Sequence, residues 1–266
     1  MNASGYCFDT ELVLDFAALC KRFAGKPLQS PYRSTVPLLS LIEHSSQRWK
    51  ALLKSLGAST DLTIHLEYCV ASAKSGGHPS QTDALFISDS TVWAVEAKWT
   101  EPRYDTVAKR VSKPESDGGD PLITLNGWLN HLNRFAAQPL QASDVSDVVY
   151  QVLHRAASAC AVATARSCLP YLIYLHFHPS PLKSSATTSQ YITDLGRLHS
   201  LLGSPRNLKF AVVEMPIQPT TAFESIKDLS KRSRTTSVKV SEALRHGPLF
   251  TFGAPTTTRI GTSIER

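Results

Sequence analysis

Residues 77–101 read GHPSQTDALFISDSTVWAVEAKWTE, and the charged residues Asp83, Glu96 and Lys98 sit in it among strand-forming apolar neighbours. Taking a polar group out of water costs free energy, and a charge costs more unless it is paired or bound to a metal. Strand side chains alternate, so Glu96 and Lys98, two residues apart, point to one face. "TDALFIS" and "TVWAVEAKW" are two strands joined by a polar turn at Asp89-Ser90, a hairpin that folds Asp83 back towards Glu96. The second strand is apolar on both parities, with Trp93, Val95 and Ala97 on one side and Val92 and Ala94 on the other, the mark of a central, covered strand. Two carboxylates and one ammonium then converge on a sheet surface. Neighbouring carboxylates repel unless a divalent cation lies between them. Oxygen ligands without His or Cys favour Mg²⁺ or Mn²⁺ over zinc.

Working outward, Val36–Leu56 carries apolar residues at three- and four-residue steps and is expected to form one amphipathic helix. Leu62–Ala71 is rich in strand formers. Glu101–Pro121, with "KPESDGGDP", reads as a loop beyond the strand end. A short helix is expected over Asn126–Ala136 and a long one over Asp144–Thr164. "LPYLIYLHF" and "LKFAVVEMP" follow as buried strands. This order predicts an α/β sandwich, a central mixed sheet flanked by helices. It forms a single domain of 266 residues, with a core over about 37–215 and a basic C-terminal addition over 216–266.

Thr82-Asp83 followed by Glu96-Ala97-Lys98 resembles the signature of the PD-(D/E)XK nuclease superfamily, with Thr82 where that family often has proline. The resemblance covers roughly residues 37–177, including the helix, three strands, helix and strand of the restriction-endonuclease-like fold. It implies a metal-dependent nuclease that hydrolyses phosphodiester bonds in DNA with Mg²⁺ or Mn²⁺. Asp83 and Glu96 would hold the metal, with the Ala97 carbonyl as a further ligand. Lys98 would orient or activate the attacking water. A metal polarises the phosphoryl oxygen and lowers the pKa of its water, and lysine is a compact charge whose pKa moves readily. The plain alternative is a buried Asp–Lys or Glu–Lys ion pair.

Many members of the superfamily add an acid, here Glu67 on the first strand or Glu43 on the first helix; Glu67 is preferred because its strand neighbours the site. Gln151 and Arg155, four apart, share a helix face. "YQVLHR" resembles branches in which this helix steadies the catalytic lysine, with Arg155 reaching nucleic acid. The turn Ser75–Gln81 would approach DNA, or is a plain hairpin turn. His176 and His178 share a strand face without an evident third ligand. No Gly-x-Ser-x-Gly elbow, Walker stretch, helix-turn-helix or zinc module is present in the sequence.

The chain has 28 Lys+Arg against 22 Asp+Glu, and the excess is uneven: Lys227–Gly247 holds Lys231, Arg232 and Arg234, candidate phosphate contacts or simply a solvated face. Five scattered cysteines favour a reducing cytoplasm, no apolar run is long enough to span a membrane, and the N-terminus does not read as a signal peptide. A homodimer is one admissible assembly. The alternatives to a nuclease are a catalytically silent nucleic-acid-binding protein on the same fold, or a metal-dependent phosphohydrolase of small nucleotides.

Overall fold

A strand that is apolar on both faces needs cover on both faces, and Thr91–Lys98 has it. The computed structural model describes residues 5–23, 25–59, 62–72, 79–113 and 120–261. Along the chain the strands are β1 Tyr6–Phe8, β2 Glu11–Val13, β3 Ile64–Val70, β4 Ser80–Ile87, β5 Thr91–Lys98, β6 Leu169–His178, β7 Lys209–Pro219, β8 Phe250–Phe252 and β9 Thr256–Arg259. The helices are α1 Phe16–Arg22, α2 Thr35–His44, α3 Ser46–Ser55, α4 Val107–Val111, α5 Pro121–Leu132, α6 Tyr150–Arg166, α7 Thr188–Leu201, α8 Thr221–Glu224 and α9 Arg234–His246.

The sheet runs β2-β1-β3-β4-β5-β6-β7-β8, with β9 also paired to β7. β5 is the junction of its two halves, antiparallel to β4 and parallel to β6. One face packs Trp93, Val95 and Ala97 against Leu38, Leu41, Trp49, Leu52, Val240 and Leu244 from α2, α3 and α9. The other packs Val92 and Ala94 against Leu125, Trp128, Val152, Ala156 and Leu195 from α5, α6 and α7. The architecture is therefore an α/β sandwich with a central mixed sheet. α6 and α7 make the crossovers between parallel strands, and both lie on the second face, so α6 covers the face that carries Glu96 and Lys98.

The single helix expected over Val36–Leu56 is two, α2 and α3, broken at Ser45 (φ −134°, ψ 57°). Between Ile42 and Trp49 the sequence supplies only polar residues, and the two segments bury different surfaces: α2 is covered from Thr35 to Ile42, α3 only at Trp49, Leu52 and Leu53. The long helix begins at Tyr150 rather than Asp144. Val145, Val148 and Val149 are buried from turns instead, where the Val148 and Ser146 carbonyls accept from the Val107 and Ala108 N–H groups. The short helix runs Pro121–Leu132, started by Asp120, whose side chain accepts from the Leu122 N–H.

The segment expected to be an addition is woven into the core. β8 and β9 pair with β7, and Phe223, Val240, Leu244, Phe250 and Phe252 join the apolar cluster under β5. Residues 75–78 of the Ser75–Gln81 turn and 114–119 of the Glu101–Pro121 loop lie outside the described residues. No helix among the described residues is long and apolar enough to cross a membrane. All five cysteines are free.

Candidate active site

Glu96 and Lys98 project from the end of β5 into the space under α6. Lys98 Nζ lies 2.8 Å from Glu96 Oε1, and the side chains are 2% and 4% exposed. α6 supplies two more partners on one face: Gln151 Nε2 donates to Glu96 Oε1 at 2.9 Å, and the Arg155 guanidinium forms an ion pair with Glu96, its Nε 2.5 Å from Oε2. Arg155 Nη1 donates to Ser80 Oγ at 2.6 Å. A guanidinium only donates, so the Ser80 hydroxyl is left to donate to His154 Nδ1, 3.0 Å away. Burial and the Arg155 charge hold the His154 imidazole well below its usual pKa, which suits this acceptor role.

Asp83 stands where β4 and β5 part. Their ladder ends at Ala84–Val95, and the Ala97 N–H beyond it donates to Asp83 Oδ2 at 2.7 Å. On β3, the pairs Leu66–Ala84 and Tyr68–Thr82 bracket Glu67 opposite Asp83. Glu67 has φ +53°, rare for a residue with a Cβ. Ile64 and Leu66 pack on the first face of the sheet, Tyr68 and Val70 on the second, so the strand switches faces at Glu67. Such a conformation is held only where the surroundings impose it, and it is concentrated at functional sites.

The charges divide sharply. Burial raises the Asp83 carboxyl well above its usual range, and Glu96 and Glu67 add to the rise. Glu67 is pushed up to about 7, by burial first and then by Glu96. Burial would raise Glu96 too, but Arg155 and then Lys98 outweigh it and hold its pKa down. Burial works against the Lys98 ammonium, and Glu96 more than offsets that, so its pKa is raised. Lys98 also lies 4.8 Å from the ring of Tyr104, which is 45% exposed, and 5.8 Å from the buried Tyr174 ring.

Three carboxyls thus face two cations, and two of the carboxyls ionise only reluctantly. A hard divalent cation would lift that reluctance, and the oxygen donors suit Mg²⁺ or Mn²⁺ in kind. Among the described residues, no group of three or more His, Cys, Asp and Glu side chains is gathered closely enough to hold a metal. A cation here would rest on Asp83 and Glu96, with backbone oxygen and water completing its shell.

The titration of Glu67 gives a stability signature. Its folded pKa is raised above the unfolded value of about 4.3, so the native state holds the proton more tightly. Stability is therefore greatest below about pH 4.3 as far as this group is concerned, and falls as pH rises towards 7. Glu67→Gln should remove that decline, gaining on the order of 1–3 kcal/mol at pH 8 and nothing at pH 4.5 in urea unfolding. An equal effect at both pH values would mean that Glu67 ionises normally.

The structure brings together Asp83, Glu96, Lys98 and Gln151, with Glu67 facing Asp83. Gln151 steadies Glu96 rather than Lys98. The group of Ala97 engaged with Asp83 is its N–H, not its carbonyl. Arg155, expected to reach nucleic acid, is instead part of the buried cluster, its side chain 11% exposed. Glu43 lies elsewhere and accepts from the Tyr6 hydroxyl. His176 is paired with Lys98 in the β5–β6 register; its Nδ1 bonds Thr188 Oγ1 at 2.8 Å, and that hydroxyl donates to Glu214 Oε1 at 2.8 Å. Lys231, Arg232 and Arg234 are exposed at the start of α9, on the opposite face of the sheet. They are linked to the strand end all the same: Lys231 Nζ lies 6.0 Å from the Tyr32 ring, which stacks on Trp99 at 5.8 Å. Ser80 and His154 also belong to the cluster; the one signal for them in the sequence is that His154 falls three residues after Gln151 on the same helix face.

No curated protein matches the chain, and no solved structure does. Residues 16–222, most of the chain, match a family described as "Domain of unknown function (DUF6946)". The chain belongs to the DUF6946 family.

Proposed function

We propose that the protein is a divalent-cation-dependent nuclease of the restriction-endonuclease-like, PD-(D/E)XK kind, hydrolysing phosphodiester bonds in DNA in a reducing, cytoplasmic setting. The observation that carries the proposal is the meeting of Asp83, Glu96 and Lys98 where β4 and β5 part, beneath Gln151 and Arg155 of α6. When bound, the cation would polarise the scissile phosphate and make its water a stronger nucleophile at neutral pH.

The chain's own groups do the rest. Asp83 and Glu96 would hold the cation; Gln151 and Arg155 fix the Glu96 carboxylate in one orientation. Lys98, kept protonated by Glu96, meets charge that grows on the phosphate oxygens in the transition state. Tyr104 lies over the ammonium at the solvent side and limits the water around it. The exposed Lys231, Arg232 and Arg234 would hold the substrate's backbone as it passes the strand end.

One observation favours a second reading. Both oxygens of Glu96 are already engaged, by Lys98 and Gln151 on one side and Arg155 on the other, as in a structural ion-pair network. On that reading the protein binds nucleic acid without cutting it. Linear and circular DNA, RNA and free nucleotides, each offered with Mg²⁺ or Mn²⁺, separate the readings. The nuclease shortens or nicks DNA and stops with a chelator; a silent binder leaves every substrate intact. In the same series, neutralising Lys231, Arg232 and Arg234 should weaken DNA binding for all sequences alike. Each lost contact should flatten the log–log salt dependence by about one unit. An unchanged slope would remove this run from the interface.

A further inference from the structure

β6 ends in His176-Phe177-His178, and side chains two apart on a strand share a face. That face is the one that carries Lys98, since Leu172 and Tyr174, of the same parity, pack in the cluster with α6 and α7. In the sheet's register Lys98, His176 and Glu214 form one row across β5, β6 and β7. The three strands are parallel, and the row stands near the carboxyl ends of β5 and β6, the end of an open α/β sheet at which ligands bind. His176 is 5% exposed and His178 half-buried, and their ring centroids are 6.2 Å apart.

Hydrogen bonding decides which nitrogen of His176 carries the proton. The Thr188 hydroxyl donates to Glu214 Oε1 at 2.8 Å, so its oxygen accepts from His176 Nδ1–H, also at 2.8 Å. Nε2 is left with a lone pair, and that atom is buried without a hydrogen-bond partner. A buried polar atom costs free energy until something binds it. The ring is nonetheless held firmly: Tyr191, one turn after Thr188 on α7, packs edge-on against it at 5.3 Å. A carboxylate and a hydroxyl that fix one ring nitrogen and leave the other bare are the support typical of a metal-ligating histidine.

We propose that His176 and His178 form a two-imidazole site for a zinc-class divalent ion, bound through His176 Nε2. Imidazole nitrogens suit Zn²⁺, Cu²⁺ and Ni²⁺, whereas Mg²⁺ prefers carboxylate oxygens such as those of Asp83 and Glu96. Metal–nitrogen bonds of about 2.0–2.1 Å draw two rings slightly closer than they stand here, and the half-buried His178 is the one with room to turn. Among the described residues no third His, Cys, Asp or Glu gathers with them, so water or a substrate oxygen completes the shell. Because His176 neighbours Lys98 across β5 and β6, the ion would add positive charge beside the carboxylate cluster. The site does not rest on the nuclease reading.

The test is calorimetric titration of the full chain with Zn²⁺, with excess Mg²⁺ present to compete for the carboxylates. Wild type should bind Zn²⁺ saturably. His178→Ala, and Thr188→Val, which cuts the link from His176 to Glu214, should each weaken binding at least tenfold. Asp83→Asn should leave it unchanged, as should Cys69→Ser with Cys168→Ser, the two half-buried cysteines. Imidazole ¹⁵N spectra of the wild type read the site without any substitution: His176 should carry its proton on Nδ1, and Zn²⁺ should shift its Nε2 resonance. The proposal fails if Zn²⁺ does not bind saturably, or if His178→Ala or Thr188→Val binds it as tightly as wild type. It fails equally if the Asp83 or cysteine variants abolish binding, or if the His176 Nε2 resonance stays in place while Zn²⁺ binds.

Discussion

Arg155→Ala should destabilise the fold by about 3–5 kcal/mol, the cost typical of removing one partner from a buried ion pair. The arginine does more than any other charge to hold Glu96 ionised, and its other arm donates to Ser80. Without it, Lys98 is the cation left to Asp83 and Glu96, and Arg33 the one left to Glu67. Urea unfolding of the two proteins side by side gives the difference. A companion variant shows that charge is the cause: Arg155→Met combined with Glu96→Gln and Lys98→Met removes the whole ion-pair network, leaves no ammonium without its counter-ion and should recover most of the loss. A loss under about 1 kcal/mol for Arg155→Ala would mean that solvent reaches Glu96 freely.

Lys98→Ala should lower the DNA cleavage rate by about 10²-fold or more while leaving DNA affinity nearly unchanged, because the ammonium meets charge that develops only in the transition state. Some stability goes too, but Glu96 keeps Arg155 and Gln151, so the cost stays below that of Arg155→Ala. The rate is therefore compared at matched folded fractions. Equal losses in binding and rate would make Lys98 a substrate anchor rather than a contributor to the chemical step.

The sequence made the centre of the fold legible for a physical reason. Two-sided apolarity in Thr91–Lys98 specifies a covered strand, and a two-residue step puts Glu96 and Lys98 on one face whatever lies around them. The edges were harder. β1, β2, β8 and β9 are three- or four-residue strands, too short to carry a period; β1 exists because β3 offers it an edge, β2 because β1 does, and β8 and β9 because β7 does. α7 went unread although it carries a capping box at Thr187 and Gln190, because its buried residues are split by polar ones, with Asp194 among them.

The same limit applied to the site. Nothing in the residue types of "YQVLHR" says that Arg155 turns inward; that follows from Glu96 being buried opposite it and from Ser80 waiting beyond. Nor does "HLEYCV" announce the left-handed backbone of Glu67. It is imposed by the change of face between Leu66 and Tyr68, a consequence of packing on both sides of the sheet.

The nuclease proposal requires the carboxyls at the parting of β4 and β5 to hold a divalent cation for phosphodiester hydrolysis. The most direct measurement is titration with Mn²⁺ at pH 8, followed by the resonance of the free ion, for wild type and Asp83→Asn. An asparagine oxygen can still accept from the Ala97 N–H, so the local fold is kept while the charge is removed. Wild type should bind Mn²⁺ saturably, Asp83→Asn should bind it at least tenfold more weakly, and DNA cleavage should rise with wild-type occupancy. Equal binding by the two proteins, or none by wild type with and without DNA, would contradict the proposal.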